Sequence, residues 1–253
     1  MTKRFDPKEY WEKRIRTHPD LQATGHHKFG LDYNQWMYQT QLDCLNELIE
    51  KWGIQVTGKR VLDVGTGTGF FLNYYRELGA GAVTGIDITQ ASIEYLRAKF
   101  PDAQLLVADI SAESVSIDEK FDVISAMGVL YHIVEEVRFE RALQNIASLL
   151  KPGGHLFLTD SLDRSRVPAA RHARLRPLEA FRPVLESSNL HVLEILPLYY
   201  YSNRSYIPFI GPWVLTRLKL GKLLYQLDKR QRKRGRSNGS GLKILLARKE
   251  SWL

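Results

Sequence analysis

Hydrophobic positions along the chain change period near residue 58. Before it they recur every three or four residues: Trp36, Leu42, Leu45, Leu48, Ile49 and Trp52 predict a helix over 34–52, closed by Gly53. A shorter helix is predicted over 5–16, and Gly25-His26-His27-Lys28-Phe29-Gly30 between the two has no period and predicts a loop. From Lys59 onward short β-branched runs alternate with helical stretches. Residues 60–64, 82–86, 104–108, 121–126 and 155–159 read as buried strands, and 70–78, 92–100 and 135–150 as helices. Lys151-Pro152-Gly153-Gly154 reads as a helix stop and turn just before a strand. Strand, helix, strand at this spacing predicts parallel βαβ units with helices on both faces of the sheet. A helix over 178–188, a strand over 191–198, an irregular basic insert over 202–240 and a last strand over 242–247 complete the pattern. Three regions follow: a helical N-terminal cap (1–57), an α/β core (58–201 and 241–253) and the insert (202–240).

Composition narrows the class. The chain has 253 residues, 44% hydrophobic and 25% charged, which suits one large α/β domain with decoration. A single cysteine, Cys44, forms neither an internal disulfide nor a cysteine-based metal site and is expected in the core. With no leader-like apolar run at its start, a cytoplasmic, reducing location is expected. No run reaches the roughly 18 apolar residues that a membrane span needs, so a spanning protein is excluded and a membrane-surface protein is not.

The formal charge of +8 is concentrated late in the chain. Residues 164–182 carry six Arg against Glu179, and 217–236 carry nine Lys or Arg against Asp228. An anionic partner should meet those segments. Over 212–233, Lys219, Lys222, Gln226, Lys229, Arg230 and Lys233 share one helical face, while Leu218, Leu220, Leu224 and Leu227 lie elsewhere. Three readings stay open: a helix resting on an anionic membrane surface, a helix tracking RNA phosphates, and a solvated cap helix with its leucines in the core.

In a doubly wound sheet the chemistry lies at the carboxyl ends of the strands. After the first comes Asp63-Val64-Gly65-Thr66-Gly67-Thr68-Gly69, running directly into a helix. Its glycines permit positive φ and close approach to a ligand. A dinucleotide fingerprint is disfavoured, because the third glycine arrives one residue early and Phe70 stands in its place. Gly53 to Lys59 mimics the opening of a P-loop, but it precedes the strand, and Arg60 replaces the magnesium-holding hydroxyl. Asp87 and Asp109 end the next two strands. The first is suited to accept both ribose hydroxyls, the second an exocyclic amine such as that of adenine.

The run Val61 to Gly69, Asp87, Asp109, Phe121-Asp122-Val123-Ile124 and Leu149-Leu150-Lys151-Pro152-Gly153-Gly154 resembles the class I S-adenosylmethionine-dependent methyltransferase family. The resemblance covers residues 59–160 and implies a Rossmann-like seven-stranded sheet with the last strand antiparallel. It also implies a bound S-adenosylmethionine. Asp63, Gly65, Thr66, Gly67 and Gly69 would surround its methionine moiety, Asp87 its ribose and Asp109 its adenine, with Ile88, Ile110 and Met127 packing around it.

Methyl transfer from a sulfonium draws much of its acceleration from alignment and desolvation, so no triad is required. At the fourth strand end, Tyr131 is placed to orient an acceptor and His132 to take its proton; the alternative is that both simply close the pocket. The resemblance implies an Asn-Pro-Pro-Tyr or Asp-Pro-Pro-Tyr after that strand for methylation of exocyclic base amines and a strand-end cysteine for that of pyrimidine carbon 5; this sequence has neither, so the resemblance implies another acceptor. Asp160 lacks a second clustered carboxylate and His26-His27 a third ligand, so metal-independent transfer is expected. Aromatics of the cap and insert are expected over the mouth, with Tyr33, Trp36, Tyr200 and Tyr206 as acceptor contacts and His26, Tyr38, Tyr199, Tyr201 and Trp213 beside them. The acceptor is expected to be an O or N atom of a small metabolite, with a hydrophobic or lipid-like one favoured by the membrane-surface reading. An RNA methyltransferase and a non-catalytic S-adenosylmethionine-binding protein are the alternatives.

Overall fold

The structure, a computed structural model, describes residues 5–26, 29–163, 167–202, 212–235, 239 and 241–251, with 167–170 and 212–214 as backbone alone. Helices α1 (Pro7–Thr17), α2 (Leu21–Thr24) and α3 (Leu31–Lys51) come first. Asp6 and Asp20 cap the first two by accepting from Glu9 N–H and Gln22 N–H. Asn34 on α3 fixes the loop before it. Its Oδ1 accepts from His26 N–H, and its Nδ2 donates to the carbonyls of His26, Phe29 and Gly30.

The core alternates β1 (Arg60–Val64), α4 (Phe70–Glu77), β2 (Ala82–Asp87), α5 (Gln90–Lys99), β3 (Gln104–Val107), β4 (Phe121–Ala126), α6 (Glu136–Leu149) and β5 (Leu150–Asp160). A two-stranded hairpin, β6 (Val167–Ala170) with β7 (Ala173–Leu175), then leads to α7 (Arg182–Ser187) and β8 (Leu190–Pro197). The insert holds α8 (Pro212–Arg217) and α9 (Gly221–Lys233), and β9 (Lys243–Lys249) closes the sheet. The seven strands run β3-β2-β1-β4-β5-β9-β8, with β9 antiparallel to both neighbours. Strand order therefore reverses between β1 and β4, which opens a crevice at their carboxyl ends.

Burial on both faces explains why these strands read as continuous apolar runs. Val61 and Val123 pack with Leu45, Leu72 and Phe157 on the α3/α4 side, while their neighbours Leu62 and Ile124 pack with Phe139, Leu143 and Ile146 on the α6 side.

Three expectations need correction. Lys151 to Gly154 do not form a separate turn: β5 starts at Leu150, and the pairing with β4 jumps from Phe121–Leu150 to Val123–His155, so these four residues bulge from an otherwise continuous strand. The helix expected over 178–188 is a short 3₁₀ turn, Leu178–Ala180, followed by α7, because Pro183 suits only a first turn. The insert, expected to be irregular with one helical stretch over 212–233, holds two helices separated by a turn at 218–220, and α9 lies along α3. Among the described residues no helix is long and apolar enough to cross a membrane.

Candidate active site

A cavity of about 580 Å³ opens at the strand order reversal, between the carboxyl ends of β1, β2 and β4 and the three N-terminal helices. Its floor is the glycine loop. Gly65, Gly67 and Gly69 all have positive φ, at 67°, 53° and 80°. A Cβ on Gly67 would lie 2.6 Å from Thr24 Cγ2, so α2 closes directly onto the loop. Gly69 serves a different purpose from the one expected. It does not line the cavity; a Cβ there would meet Leu96 at 2.5 Å, so it lets α4 pack against α5.

Asp87 holds the loop's shape. Its Oδ2 accepts from Gly67 N–H at 2.9 Å, and its Oδ1 accepts from Thr89 N–H and Thr89 Oγ1 at 2.9 and 2.7 Å. A carboxylate oxygen takes about two hydrogen bonds, so Oδ1 is filled and Oδ2 keeps one place for a ribose hydroxyl. Asp109 is braced likewise: Oδ1 accepts from Ser111 and Oδ2 from Arg138. Ile88, Ile110 and Met127 line the same wall. Asp63, by contrast, lies behind the loop, almost fully buried and off the cavity surface. Burial pushes its carboxyl up to about 7. The Thr66 hydroxyl and the backbone of Leu72 hydrogen-bond to the carboxylate and oppose that shift.

Across from the loop, Tyr131 and His132 sit on a 3₁₀ turn, Leu130–His132. The turn is held from below by Arg176, whose side chain is fully buried. Its guanidinium lies 4.0 Å over the Phe139 ring, pairs with Glu136 at 3.2 Å and donates to the carbonyls of Ile133 at 2.7 Å and Leu130 at 3.4 Å. Its backbone N–H donates to Asp160 Oδ1, which ties the hairpin to the end of β5. Burial pushes Asp160 up to about 6, against two backbone hydrogen bonds that favour its charge. His132 Nδ1 meets the carbonyl oxygen of His172 at 2.8 Å, and the two rings stack at 16°. Burial brings the His132 imidazole down to about 4, so it is neutral at physiological pH. Burial also raises the Tyr131 phenol above its usual range.

The acceptor side differs from expectation at several residues. Tyr33 and Trp36 do not line the cavity. On α3 the stripe facing it is Asn34, Met37, Tyr38 and Gln41, spaced i, i+3, i+4 and i+7. Tyr33 falls at the edge of that stripe and stacks on Phe29, while Trp36 points the other way, against Tyr225 of α9. Tyr200 is buried in the core, where Asp228 accepts its backbone N–H, and its neighbour Tyr199 lines the cavity instead. Tyr206 and His27 lie outside the described residues. Tyr38 and His26 do face the cavity, with Tyr38 donating to Thr24 Oγ1 at 2.8 Å.

Sequence reasoning assigned no role to α1, which supplies Trp11 and Arg14. Pro7, Trp11, Arg14 and Ile15 share one helical face, and all four line the cavity. That spacing was the available signal. Arg14 donates to Tyr10 and to the carbonyls of Gln22 and Gly25, and Trp11 packs edge-on against His132 at 4.8 Å. His172 could not have been found this way, because only the hairpin brings it to His132.

The site fits S-adenosylmethionine on the loop's own evidence: positive-φ glycines with no room for a side chain, Gly65 against Val129 and Gly67 against Thr24 of α2, a carboxylate with one lone-pair site left on Oδ2, and apolar walls beside it. Comparison with known proteins agrees. A model of the family described as "Methyltransferase domain" matches residues 33–195. The tRNA U34 carboxymethyltransferase of Colwellia psychrerythraea is 31% identical over 160 residues, covering 60% of this chain and 48% of the relative. The ubiquinone biosynthesis O-methyltransferase of Albidiferax ferrireducens is 36% identical over 115 residues, covering 44% of each. The chain thus spans less than half the length of these relatives. In fold it is similar to magnesium protoporphyrin IX methyltransferase from Synechocystis PCC 6803, with a TM-score of 0.64 at 15% identity over 99% of this chain and 100% of the other. It is also similar to the [4+2]-cyclase SpnF, with a TM-score of 0.55 at 21% identity over 85% of this chain and 81% of the other, so this architecture alone does not name a reaction. With the family model matching well over half of it, the chain belongs to the class I S-adenosylmethionine-dependent methyltransferase family.

Proposed function

We propose that the protein transfers a methyl group from S-adenosylmethionine to an oxygen or nitrogen atom of a small, largely apolar metabolite. The observation that carries this reading is the roofed cavity in which Trp11, Met37, Tyr38, Tyr131, His132 and Tyr199 face the glycine loop. A roofed, mostly apolar chamber suits a compact molecule that enters whole, and it excludes water from the reacting atoms.

The cofactor, when bound, supplies an electrophilic methyl carbon on a sulfonium. Gly65, Thr66 and Gly67 would cradle its amino-acid end, Asp87 would accept one ribose hydroxyl, and Asp109 with Ile88, Ile110 and Met127 would hold its base. The chain's own chemistry lies opposite. Because a carbonyl oxygen only accepts, His132 Nδ1 carries the hydrogen toward His172, and the lone pair is on Nε2. This tautomer can remove a proton from an acceptor hydroxyl or amine as the new bond forms, while Tyr131 orients the acceptor. On this reading residues 1–57 act as the lid and 58–201 with 241–253 as the catalytic core.

The test is incubation of the protein and methyl-labelled cofactor with a cell extract, followed by separation into organic-extractable, aqueous small-molecule and RNA fractions. Label in an organic-extractable or small aqueous product supports the reading. Label confined to RNA, and released by ribonuclease, would overturn it.

A further inference from the structure

One of the three readings of the insert places Leu218, Leu220, Leu224 and Leu227 in the core; Leu218 is not there, and neither is Leu223. Leu218 is 61% exposed and Leu223 50% exposed. Leu218 lies in the turn between α8 and α9, where Lys219 adopts a left-handed backbone with φ of 49°, a conformation unfavourable for a residue with a side chain. The next residue, Leu220, turns inward and packs with Phe29, Tyr33 and Leu215. Leu223 stands on the first turn of α9, beside Lys222 and on the same outward side as Gln226, Arg230 and Lys233, all exposed.

The charge on this side is of one sign. Over 217–235 the only acidic residue is Asp228, and it is fully buried, accepting the backbone N–H groups of Tyr200, Tyr201 and Ser202. Asp43 of α3 offsets Lys229. Lys219, Arg230 and Lys233 remain on the exposed side with no acidic neighbour on α9. The inner side of α9 is anchored to α3 through the Tyr225 hydroxyl, which donates to Asp43 at 2.9 Å, so the helix is presented on a fixed support.

We infer that this face, Leu218 and Leu223 set among Lys219, Lys222, Arg230 and Lys233, docks on an anionic membrane surface. A surface of anionic lipid headgroups over acyl chains engages both components, since the cations meet phosphate charge and the leucines enter the apolar boundary. A polynucleotide engages only the cations and leaves both leucines in water. The docking itself stands apart from the acceptor. That a lipid-soluble acceptor reaches the cavity from the bilayer rests on the proposed acceptor class.

The experiment is co-sedimentation of the full chain with vesicles of phosphatidylcholine alone and of phosphatidylcholine mixed with phosphatidylglycerol. Binding is expected to the mixed vesicles only, and to weaken as salt rises from about 0.1 M to several times that. The double variant Leu218→Ser/Leu223→Ser, with charge unchanged, should lose at least about tenfold in partitioning. Arg230→Glu/Lys233→Glu should abolish it. Neither pair lines the cavity, so cofactor titration should be unchanged in both, which verifies folding. Absence of binding to mixed vesicles at low salt would overturn the inference. So would leucine variants that bind like the parent while transfer RNA competes, an outcome that would mark the face as one for RNA. Both leave the acceptor reading to the labelling test, which involves no vesicles.

Discussion

The Nδ1 of His132 lies 2.8 Å from the carbonyl oxygen of His172, on the hairpin between β5 and α7. That contact sets the tautomer, and burial keeps the ring neutral by bringing its pKa down to about 4. His132→Gln is therefore expected to lower kcat by roughly 10²–10⁴, the range for loss of a positioned base, while leaving cofactor affinity unchanged. The pH profile of turnover should stay flat on its acid side until it approaches about 4. The folded pKa is below the unfolded value of about 6.5, so the contribution to stability is present above 6.5 and lost as pH falls toward 4. Urea melts of parent and variant across that window should converge in slope at high pH and diverge below.

Arg176 joins Leu130, Ile133, Glu136 and Asp160 from a fully buried position. Arg176→Met takes the donor from Glu136 Oε2, leaving Glu136 its pair with Arg174, and from the carbonyls of Leu130, Ile133 and Arg174, and is expected to cost about 3–5 kcal/mol, the range for breaking a buried pair. Arg176→Lys keeps the charge but cannot reach these carbonyls in one plane. It should fold, bind cofactor with unchanged affinity and lose at least about tenfold in kcat. Its His132 resonance should titrate closer to the free value of about 6.5. A lysine variant with parental kcat and parental His132 titration would show that the turn needs no such clasp.

Asp63 titrates at about 7 in the fold because it is buried behind the glycine loop. A raised carboxyl pKa means that folding is favoured at low pH and loses stability as pH rises from about 3.9 toward 7. Asp63→Asn removes that charge. Its stability relative to the parent should grow across the window by about 2–4 kcal/mol and stay level above it. Equal pH dependence of parent and variant in thermal melts would mean that Asp63 is not the group responsible.

How far the sequence reaches depends on the kind of contact. Local rules placed β1 to β4 to within a residue or so of their ends, because runs buried on both faces and glycine-bearing turns are written in consecutive residues. The same rules located Gly65, Gly67, Asp87 and Asp109 at successive strand ends. What failed was orientation within helices and contact across long separations. Residue chemistry points to Trp36 and Tyr33, whereas the turn of 100° per residue puts Met37, Tyr38 and Gln41 on the cavity and gives Trp36 to α9. Trp11 and Arg14 were legible from their own spacing, once a cap was assumed to close over the site. His172 and Arg176 were not, because their role depends on a hairpin docking against a turn some 40 residues earlier.

On the proposed reading, the loop through Gly65 and Gly67 forms the cofactor site beneath the N-terminal helices. Calorimetric titration with S-adenosylhomocysteine, on the parent beside Gly67→Val, addresses it most directly. Valine at φ of 53° is strained, and its Cβ would press on Thr24 within 2.6 Å. One site is expected in the parent, and affinity weaker by at least about a hundredfold in the variant, a cost of about 2.7 kcal/mol. Failure of the folded parent to bind, or equal affinity in the two proteins, would contradict it.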